Sequence, residues 1–309
     1  MRALVADPSR SPAVALADVP EPTPGPGQLL LRMEAASVNR GEVRTAAAKP
    51  AGTVIGWDVV GTVIGAGQGA EGAREGDLVL ALAPAGGSFA ERVLVPAEWA
   101  TPLPAGSDPV VHAALPVAGL TAVNILRLTR THAGDRILIT GAAGGVGSLA
   151  VQLAVAEKAD VTGQVGSQER AAIVTELGAE ALVHPGDGSE VAGEYDVILD
   201  GIGGPMFAPL LRALAFKGRM LLYGNSAGGE CTFKPEDLYP KCVTVQGFRV
   251  FQMVPPDQGI RDLAMLAELV AAGQLRVPVQ ATAPLADALP LLADLIDRKV
   301  TGKVVLIGS

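Results

Sequence analysis

The spacing of hydrophobic and polar positions divides the chain into two kinds of region. In the first, which ends at about residue 115, short apolar runs are separated by turns rich in glycine and proline. Strands are predicted there at residues 3–6, 28–36, 54–65, 78–83 and 88–95. Many short strands without intervening helices are typical of a β-barrel-like domain.

Helical spacing begins at residues 111–128, and strands then alternate with helices. The predicted strands are 136–140, 160–164, 181–184, 196–200, 218–223 and 243–246, and the predicted helices are 148–158, 168–177 and 205–215. This alternation implies right-handed βαβ crossovers and a parallel sheet, and therefore an α/β fold. We also predict helices at 257–272 and 285–297, a strand near 278–282 and a last strand at 303–307, and expect them to return to the first region.

Composition excludes several classes of function. The chain has 309 residues, which favours two domains over one. Its net charge of −8 and its lack of a basic cluster argue against a nucleic-acid partner. Cys231 and Cys242 lack metal-ligand partners at zinc spacing, and only two thiols in so long a chain favour a reducing compartment. Without a signal peptide or a long apolar segment, we expect a cytoplasmic protein with no membrane partner.

The most informative segment is 136–147, where a buried strand, a glycine turn and an apolar helix follow one another. Glycine permits close backbone approach, and a helix N-terminus offers unpaired N–H groups to a pyrophosphate. This context predicts dinucleotide binding. The residues assigned to the cofactor here are Gly141, Ala142, Gly144, Gly145, Val146 and Gly147.

The second predicted strand favours NADPH over NADH. Sites that prefer NADH usually place a carboxylate at the end of this strand, where it accepts from the ribose 2′-OH. Residues 164–166 hold none. Instead, Ser167 can donate to a 2′-phosphate and Arg170 can pair with it. The alternative for Arg170 is a solvated residue in the first turn of a helix. His184, after the third strand, either contacts the adenine or phosphate or is a simple surface histidine.

Several segments, in order along the chain, resemble the zinc-free quinone oxidoreductase (ζ-crystallin-like) branch of the medium-chain dehydrogenase/reductase superfamily. They are residues 24–28, 36–39, 56–61, 115–122, 141–147, 218–225 and 302–306. The resemblance implies a GroES-like β-rich catalytic domain over 1–118 and a Rossmann NADPH-binding domain with a doubly wound parallel sheet over 119–250. The segment 251–309 would then return to the catalytic domain, and a homodimer would form through edge strands near 243–246.

The same resemblance assigns further site residues. Thr121 is similar to a threonine near the nicotinamide, and the late strand adds Tyr223, Gly224, Asn225 and Ser226 to the cofactor site. Zinc-using relatives need a thiolate near position 37, a His-Glu pair where this chain has Trp57-Asp58, and a four-cysteine lobe. None of these is present in the sequence, so we expect no metal.

Three residues are candidate catalytic groups at the site of hydride transfer. Asn39 can donate to the developing oxyanion, or it can stabilise a turn. Arg44 either supplies positive charge there or is a solvated loop residue, and Trp57 either forms a wall for a planar substrate or packs the domain. Asp58 suits a structural acceptor better than a base. Relatives commonly carry tyrosines beyond this asparagine, but residues 1–194 contain none, so the proton could come from solvent.

These residues predict an NADPH-dependent oxidoreductase that transfers a hydride to a quinone or an α,β-unsaturated carbonyl without a metal. Two alternatives stay open. One is a biosynthetic tailoring reductase or cyclase acting on a bulky intermediate, because residues 46–48 are small alanines that would widen the pocket. The other is a non-catalytic NADPH-binding protein, because a fold alone does not prove chemistry.

Overall fold

The chain divides into two units, which the computed structural model describes over residues 1–308. Unit 1 contains Met1–Leu120 together with the chain from Val254 onward, and unit 2 contains Thr121–Met253. The strands are β1 (Arg2–Ala6), β2 (Val14–Asp18), β3 (Gln28–Val38), β4 (Asp58–Ala66), β5 (Leu78–Leu82), β6 (Arg92–Pro96), β7 (Ala100–Pro102), β8 (Arg136–Thr140), β9 (Asp160–Val165), β10 (Glu180–Val183), β11 (Tyr195–Asp200), β12 (Leu214–Leu222), β13 (Thr244–Gly247), β14 (Val279–Pro284) and β15 (Lys303–Ile307). The helices are α1 (Arg40–Thr45), α2 (Pro109–His112), α3 (Pro116–Leu128), α4 (Gly145–Ala156), α5 (Gln168–Glu176), α6 (Phe207–Ala213), α7 (Val250–Met253), α8 (Pro256–Ala271) and α9 (Ala288–Ile296).

Unit 1 is built on a sheet with the order β14-β15-β3-β4-β5-β7, in which β6 also pairs with β3. The long strand β3 is central because its first half pairs with β6 and its last residues pair with β15. Its apolar side chains Leu29, Leu31 and Met33 are buried, as the alternating pattern predicts. The last strand of the chain therefore pairs with one of the first.

Some elements of unit 1 differ from the prediction. The strand predicted from residue 54 begins only at Asp58. Gly56 has a φ of +103°, which breaks the extended run, and a Cβ there would lie 2.5 Å from Ser88 Oγ and from the Phe89 ring. The strands β2 and β7 and the short helix α1 were not predicted, because each is too brief for a periodic signal.

Unit 2 is a six-stranded sheet with the order β10-β9-β8-β11-β12-β13. Every neighbouring pair is parallel. The first strand in sequence, β8, thus lies at the centre, and the strand order reverses between β8 and β11. This is the doubly wound pattern, in which ligands bind at the carboxyl ends of the strands where the order reverses. The predicted α/β fold class is confirmed.

Helix α4 begins at Gly145, three residues earlier than the prediction of 148. The last glycines of the motif therefore belong to the first turn of the helix, and the connecting turn is shorter than expected. Strand β12 begins at Leu214, so α6 is shorter than the predicted helix. Among residues 1–308, none of the helices combines the length and apolar character that a membrane span needs.

Candidate functional site

In unit 1, three strand ends converge on Asn39. Asn39 follows β3 and is the N-cap of α1, with an extended backbone. Because Val38 pairs with Val304, Lys303 at the start of β15 lies across from Asn39. The Lys303 ammonium donates to Asn39 Oδ1 at 2.8 Å, and Lys303 is 3% exposed. The sheet register therefore determines which buried cation reaches this amide.

The nitrogen of the Asn39 amide binds Asp58, the first residue of β4. Asn39 Nδ2 donates to Asp58 Oδ2 at 2.8 Å, and the Lys303 ammonium lies 3.6 Å from the same oxygen. Asp58 Oδ1 accepts the backbone N–H of Val117, in the first turn of α3, at 3.0 Å. A carboxylate is stabilised at a helix N-terminus. The amide orientation of Asn39 is therefore fixed by a cation at its oxygen and an acid at its nitrogen.

Glu42 is the second buried acid of this cluster. Its Oε1 accepts the backbone N–H of Asn39 at 2.5 Å, which is half of a capping box. Its Oε2 is buried and has no hydrogen-bond partner among the described residues. Burial raises the pKa of Glu42 well above its ordinary value, and the nearby Asp58 raises it further. Burial also raises the pKa of Asp58, but Lys303, Asn39 and Val117 oppose this, so we assign Asp58 as ionised.

Trp57 and Arg44 lie on the other side of α1. A Cβ added to Gly41 would be 3.6 Å from the Trp57 ring, so the ring lies against the helix at this glycine. Arg44 is exposed and three residues after Gly41, which places both on one helix face. The three candidate catalytic residues are thus gathered on or against α1, with the Asn39 amide on the buried side.

In unit 2, the predicted glycine motif joins the centre of the sheet to a helix N-terminus. Gly141 has a φ of +62°, and the N–H of Gly144 donates to its carbonyl at 2.8 Å. Gly144 is the N-cap of α4. A Cβ on Gly147 would lie 2.4 Å from the Gly141 carbonyl oxygen, so only glycine permits this approach of helix to loop. Ala142, Gly145 and Val146 complete the motif between these positions.

Residues after β12 run beside the end of β11. The N–H of Tyr223 donates to the Asp200 carbonyl at 2.9 Å, and that of Ser226 donates to the Gly201 carbonyl at 3.2 Å. The Tyr223 hydroxyl donates to the Thr140 carbonyl at 3.3 Å, at the end of β8. Burial raises the pKa of Tyr223. The segment with Gly224 and Asn225 therefore lies at the same sheet edge as the glycine motif.

A buried acid, Asp200, holds this edge together. Its carboxylate accepts from Thr140 Oγ1 at 2.6 Å and from the N–H groups of Ile202 and Gly203 at 2.9 and 3.1 Å. Burial raises the pKa of Asp200, and these donors oppose the rise. Asp200 thereby fixes the turn after β11, directly beside the point where the strand order reverses.

Ser167 and Arg170 are placed at the start of the helix that follows β9. Ser167 is the N-cap of α5 and its side chain makes no capping hydrogen bond. Arg170 lies in the first turn and is half-buried. Thr121 is in the second turn of α3 and nearly buried, and its place relative to the cofactor stays a prediction.

His184 is buried, so it is not a surface histidine. Gly186 N–H donates to its Nδ1 at 3.0 Å, and Ser189 Oγ lies 3.1 Å from its Nε2. Gln164, at the end of β9, donates to the His184 carbonyl at 2.8 Å and accepts from Gly141 N–H at 3.2 Å. The Gln164 amide thus ties the glycine motif to the end of β10.

Sequence reasoning missed Glu42, Lys303, Asp200 and Gln164. Two of them had a local signal. Asn39 followed by Glu42 has the spacing of a capping box, and Asp200-Gly201 after an apolar strand is a turn signal. Lys303 and Gln164 had none beyond being polar within apolar runs.

Within residues 1–308, His, Cys, Asp and Glu side chains form no group of three or more that could hold a metal ion. The buried acids Glu42 and Asp58 are instead bound to an asparagine, a lysine and backbone N–H groups.

Comparison with known proteins gives the same assignment over most of the chain. Residues 25–105 match the alcohol dehydrogenase GroES-like domain, and residues 145–268 match the zinc-binding dehydrogenase family. Prostaglandin reductase-3 of Bos taurus is 34% identical over 281 residues, which cover 84% of this chain and 73% of that protein. The chloroplast envelope quinone oxidoreductase homolog of Arabidopsis thaliana is 28% identical, covering 93% of this chain and 92% of that one.

Solved structures extend the likeness to the fold of the whole chain. A mycobacterial protein complexed with NADPH superposes with a TM-score of 0.90 and is 28% identical, with 99% of this chain and 100% of that chain covered. The resemblance drawn from the sequence motifs is therefore confirmed. This chain belongs to the zinc-free quinone oxidoreductase branch of the medium-chain dehydrogenase/reductase superfamily.

Proposed function

We propose that the protein is an NADPH-dependent reductase that transfers a hydride to a quinone or an α,β-unsaturated carbonyl compound without a metal. One observation carries the proposal. The glycine motif, the N-terminus of α4 and the segment after β12 meet at the sheet edge where the strand order reverses. This is where doubly wound sheets bind dinucleotides.

The residues at this edge suit a phosphorylated dinucleotide. The first turn of α4 presents N–H groups to a pyrophosphate beside Gly141 and Gly144. Ser167 has an uncommitted hydroxyl at the start of α5, and Arg170 supplies a positive charge one turn later. Residues 164–166 contain no carboxylate that would repel a 2′-phosphate. The NADPH complex of the mycobacterial protein supports this choice.

In unit 1, the candidate residues for binding the reacting carbonyl lie on or against α1. Bound NADPH supplies the hydride. The flat ring of Trp57 suits a planar conjugated substrate, and the exposed Arg44 on the same side of α1 places positive charge for the oxyanion. The amide of Asn39 is already bound at both ends, so we assign it a positioning role at the start of α1. The names of a prostaglandin reductase and a quinone oxidoreductase homolog among the relatives support a conjugated carbonyl substrate.

The test is a titration with NADPH and NADH followed by addition of 1,4-benzoquinone or a small enone, with loss of NADPH absorbance as the readout. Tight NADPH binding with rapid turnover supports the proposal. Binding without turnover of either compound class would favour the tailoring enzyme or the non-catalytic NADPH-binding protein instead.

Replacing Arg170 with alanine is expected to weaken NADPH binding about 10- to 100-fold, because a charge-assisted contact contributes about 1.5–3 kcal/mol. NADH lacks the 2′-phosphate, so its affinity should change less than about threefold. Fluorescence titration with both cofactors measures the difference. Arg261→Ala, at an exposed arginine of α8, is the control. An equal loss for both cofactors would remove Arg170 from the phosphate site.

We also propose that the protein is a homodimer that pairs β13 with β13 of a second copy. All four residues of this edge strand are exposed. Three large apolar residues on or near it are also exposed: Val245 by 39%, Phe216 by 64% and Tyr239 by 67%. An open apolar edge of this kind is normally covered. Val245→Lys is expected to give monomers in light scattering after size-exclusion chromatography, whereas Met265→Lys, on an exposed part of α8, should not. A monomeric wild type would refute this assembly.

A further inference from the structure

Glu42 is a buried group that the proposed function does not use. Its side chain is fully buried, Oε1 accepts from Asn39, and Oε2 has no partner among residues 1–308. An ionised oxygen without a partner is far more costly away from water than a neutral carboxyl group. The geometry at Oε2 therefore favours the protonated form.

The charges around Glu42 support the same state. Asp58 on β4 and Lys303 on β15 act on it, so one ammonium group faces two carboxyl groups in a region with almost no solvent exposure. Asp58 has the ammonium, an amide and a backbone N–H as donors, whereas Glu42 has an unpartnered oxygen. The cluster is neutral when Glu42 keeps its proton.

Arg40 on α1 and the charged residues at the end of α9 have other partners. Arg40, on the same helix, donates to the Ile296 carbonyl of α9, which packs against α1. At the end of α9, Asp294 and Asp297 both bind Lys299. The balance at Glu42 is therefore set mainly by Asp58 and Lys303.

We propose that Glu42 is a positioning residue that works as a neutral carboxylic acid. It accepts the backbone N–H of Asn39 at the start of α1, and its ionisation leaves an unpaired charge at the buried Oε2, which disrupts the packing around Asn39 and lowers the catalytic rate. The effect on rate rests on the proposed function, whereas the neutral state of Glu42 does not.

Burial and Asp58 raise the pKa of Glu42 well above 4.5, so the folded protein holds this proton more tightly than the unfolded chain. The stability contributed by Glu42 is then complete below pH 4.5 and is lost as the pH rises through the raised pKa. Above that pKa, each pH unit should lower the active fraction about tenfold.

Glu42→Gln tests the proposal because glutamine has the shape and hydrogen-bonding groups of the neutral acid. Infrared spectra of the wild type at neutral pH should contain the carbonyl stretch of a protonated carboxylic acid, which Glu42→Gln removes. Glu75→Gln, at an exposed glutamate of unit 1, should keep the band. A wild-type spectrum without that band overturns the neutral state, whatever the enzyme's activity.

The pH profile of kcat/KM tests the positioning role. The wild type should lose activity about tenfold per pH unit above its break, and Glu42→Gln should lack that break. Glu42→Ala, which cannot hold the Asn39 N–H, should be about tenfold less active than Glu42→Gln at neutral pH. The same alkaline break in wild type and Glu42→Gln, or equal activities of the alanine and glutamine variants, would overturn this role.

Discussion

Replacing Lys303 with methionine is expected to lower the free energy of unfolding of unit 1 by about 3–5 kcal/mol. Lys303 Nζ lies 2.8 Å from Asn39 Oδ1 and 3.6 Å from Asp58 Oδ2, and Asp58 is completely buried. Methionine fills a similar volume but leaves the carboxylate without its cation. Both tryptophans of the chain, Trp57 and Trp99, belong to unit 1, so urea unfolding followed by tryptophan emission reports on the right unit.

Two further variants make this measurement specific. Lys299→Met removes an exposed lysine that also binds two acids, and should change the stability by less than about 1 kcal/mol. In the double variant Asp58→Asn/Lys303→Met, no charge is left uncompensated, so it should be at least about 1 kcal/mol more stable than Lys303→Met. Equal effects of Lys303→Met and Lys299→Met would contradict the buried ion pair.

Replacing Gly147 with alanine is expected to weaken NADPH binding about 100-fold or more. The added Cβ would lie 2.4 Å from the Gly141 oxygen and 2.8 Å from Ala142 Cα, both backbone atoms that cannot move independently of the loop. The start of α4 must then separate from the loop, and loss of two charge-assisted N–H contacts to a phosphate corresponds to a change of this size. Fluorescence titration of NADPH measures it.

The fold should survive this substitution. Alanine favours a helix by about 1 kcal/mol over glycine, which partly offsets the displacement, so circular dichroism should be nearly unchanged. Gly247→Ala is the matched control, because a Cβ there has no neighbour within 4 Å. NADPH affinity of Gly147→Ala within about threefold of the wild type would show that this contact does not shape the phosphate site.

The parts of the fold that the sequence predicts well are those with a strong local signal. The buried strand β8 and its glycine turn combine β-branched residues with a conformation that only glycine adopts easily, so the sequence predicts their position correctly. Alternation of strands and helices then implied the parallel sheet of unit 2. Boundaries were less accurate: α4 begins at Gly145 because glycine can occupy a first helical turn as well as the preceding loop.

The buried cluster of unit 1 could not be predicted, because its contacts join residues that are far apart in sequence. Lys303 meets Asn39 only because β15 pairs with β3 in one register, and a shift by one residue would turn the lysine to the other face. The prediction that Asn39 donates to the substrate did not anticipate that Lys303 and Asp58 bind its amide. An asparagine with a free amide and one with a bound amide have the same local sequence. The roles of Ser167, Arg170 and Thr121 stay predictions.

The pairing of β15 with β3 also constrains how the protein is made. Unit 2 is a continuous stretch of chain, Thr121–Met253, and can close its sheet as soon as that stretch has left the ribosome. Unit 1 must wait for β14 and β15, which are translated after unit 2, before the end of β3 gains this partner and Asn39 its lysine. During that interval the last residues of β3 lack their strand partner and the buried Asp58 lacks its lysine, so the unfinished sheet of unit 1 is more exposed to aggregation.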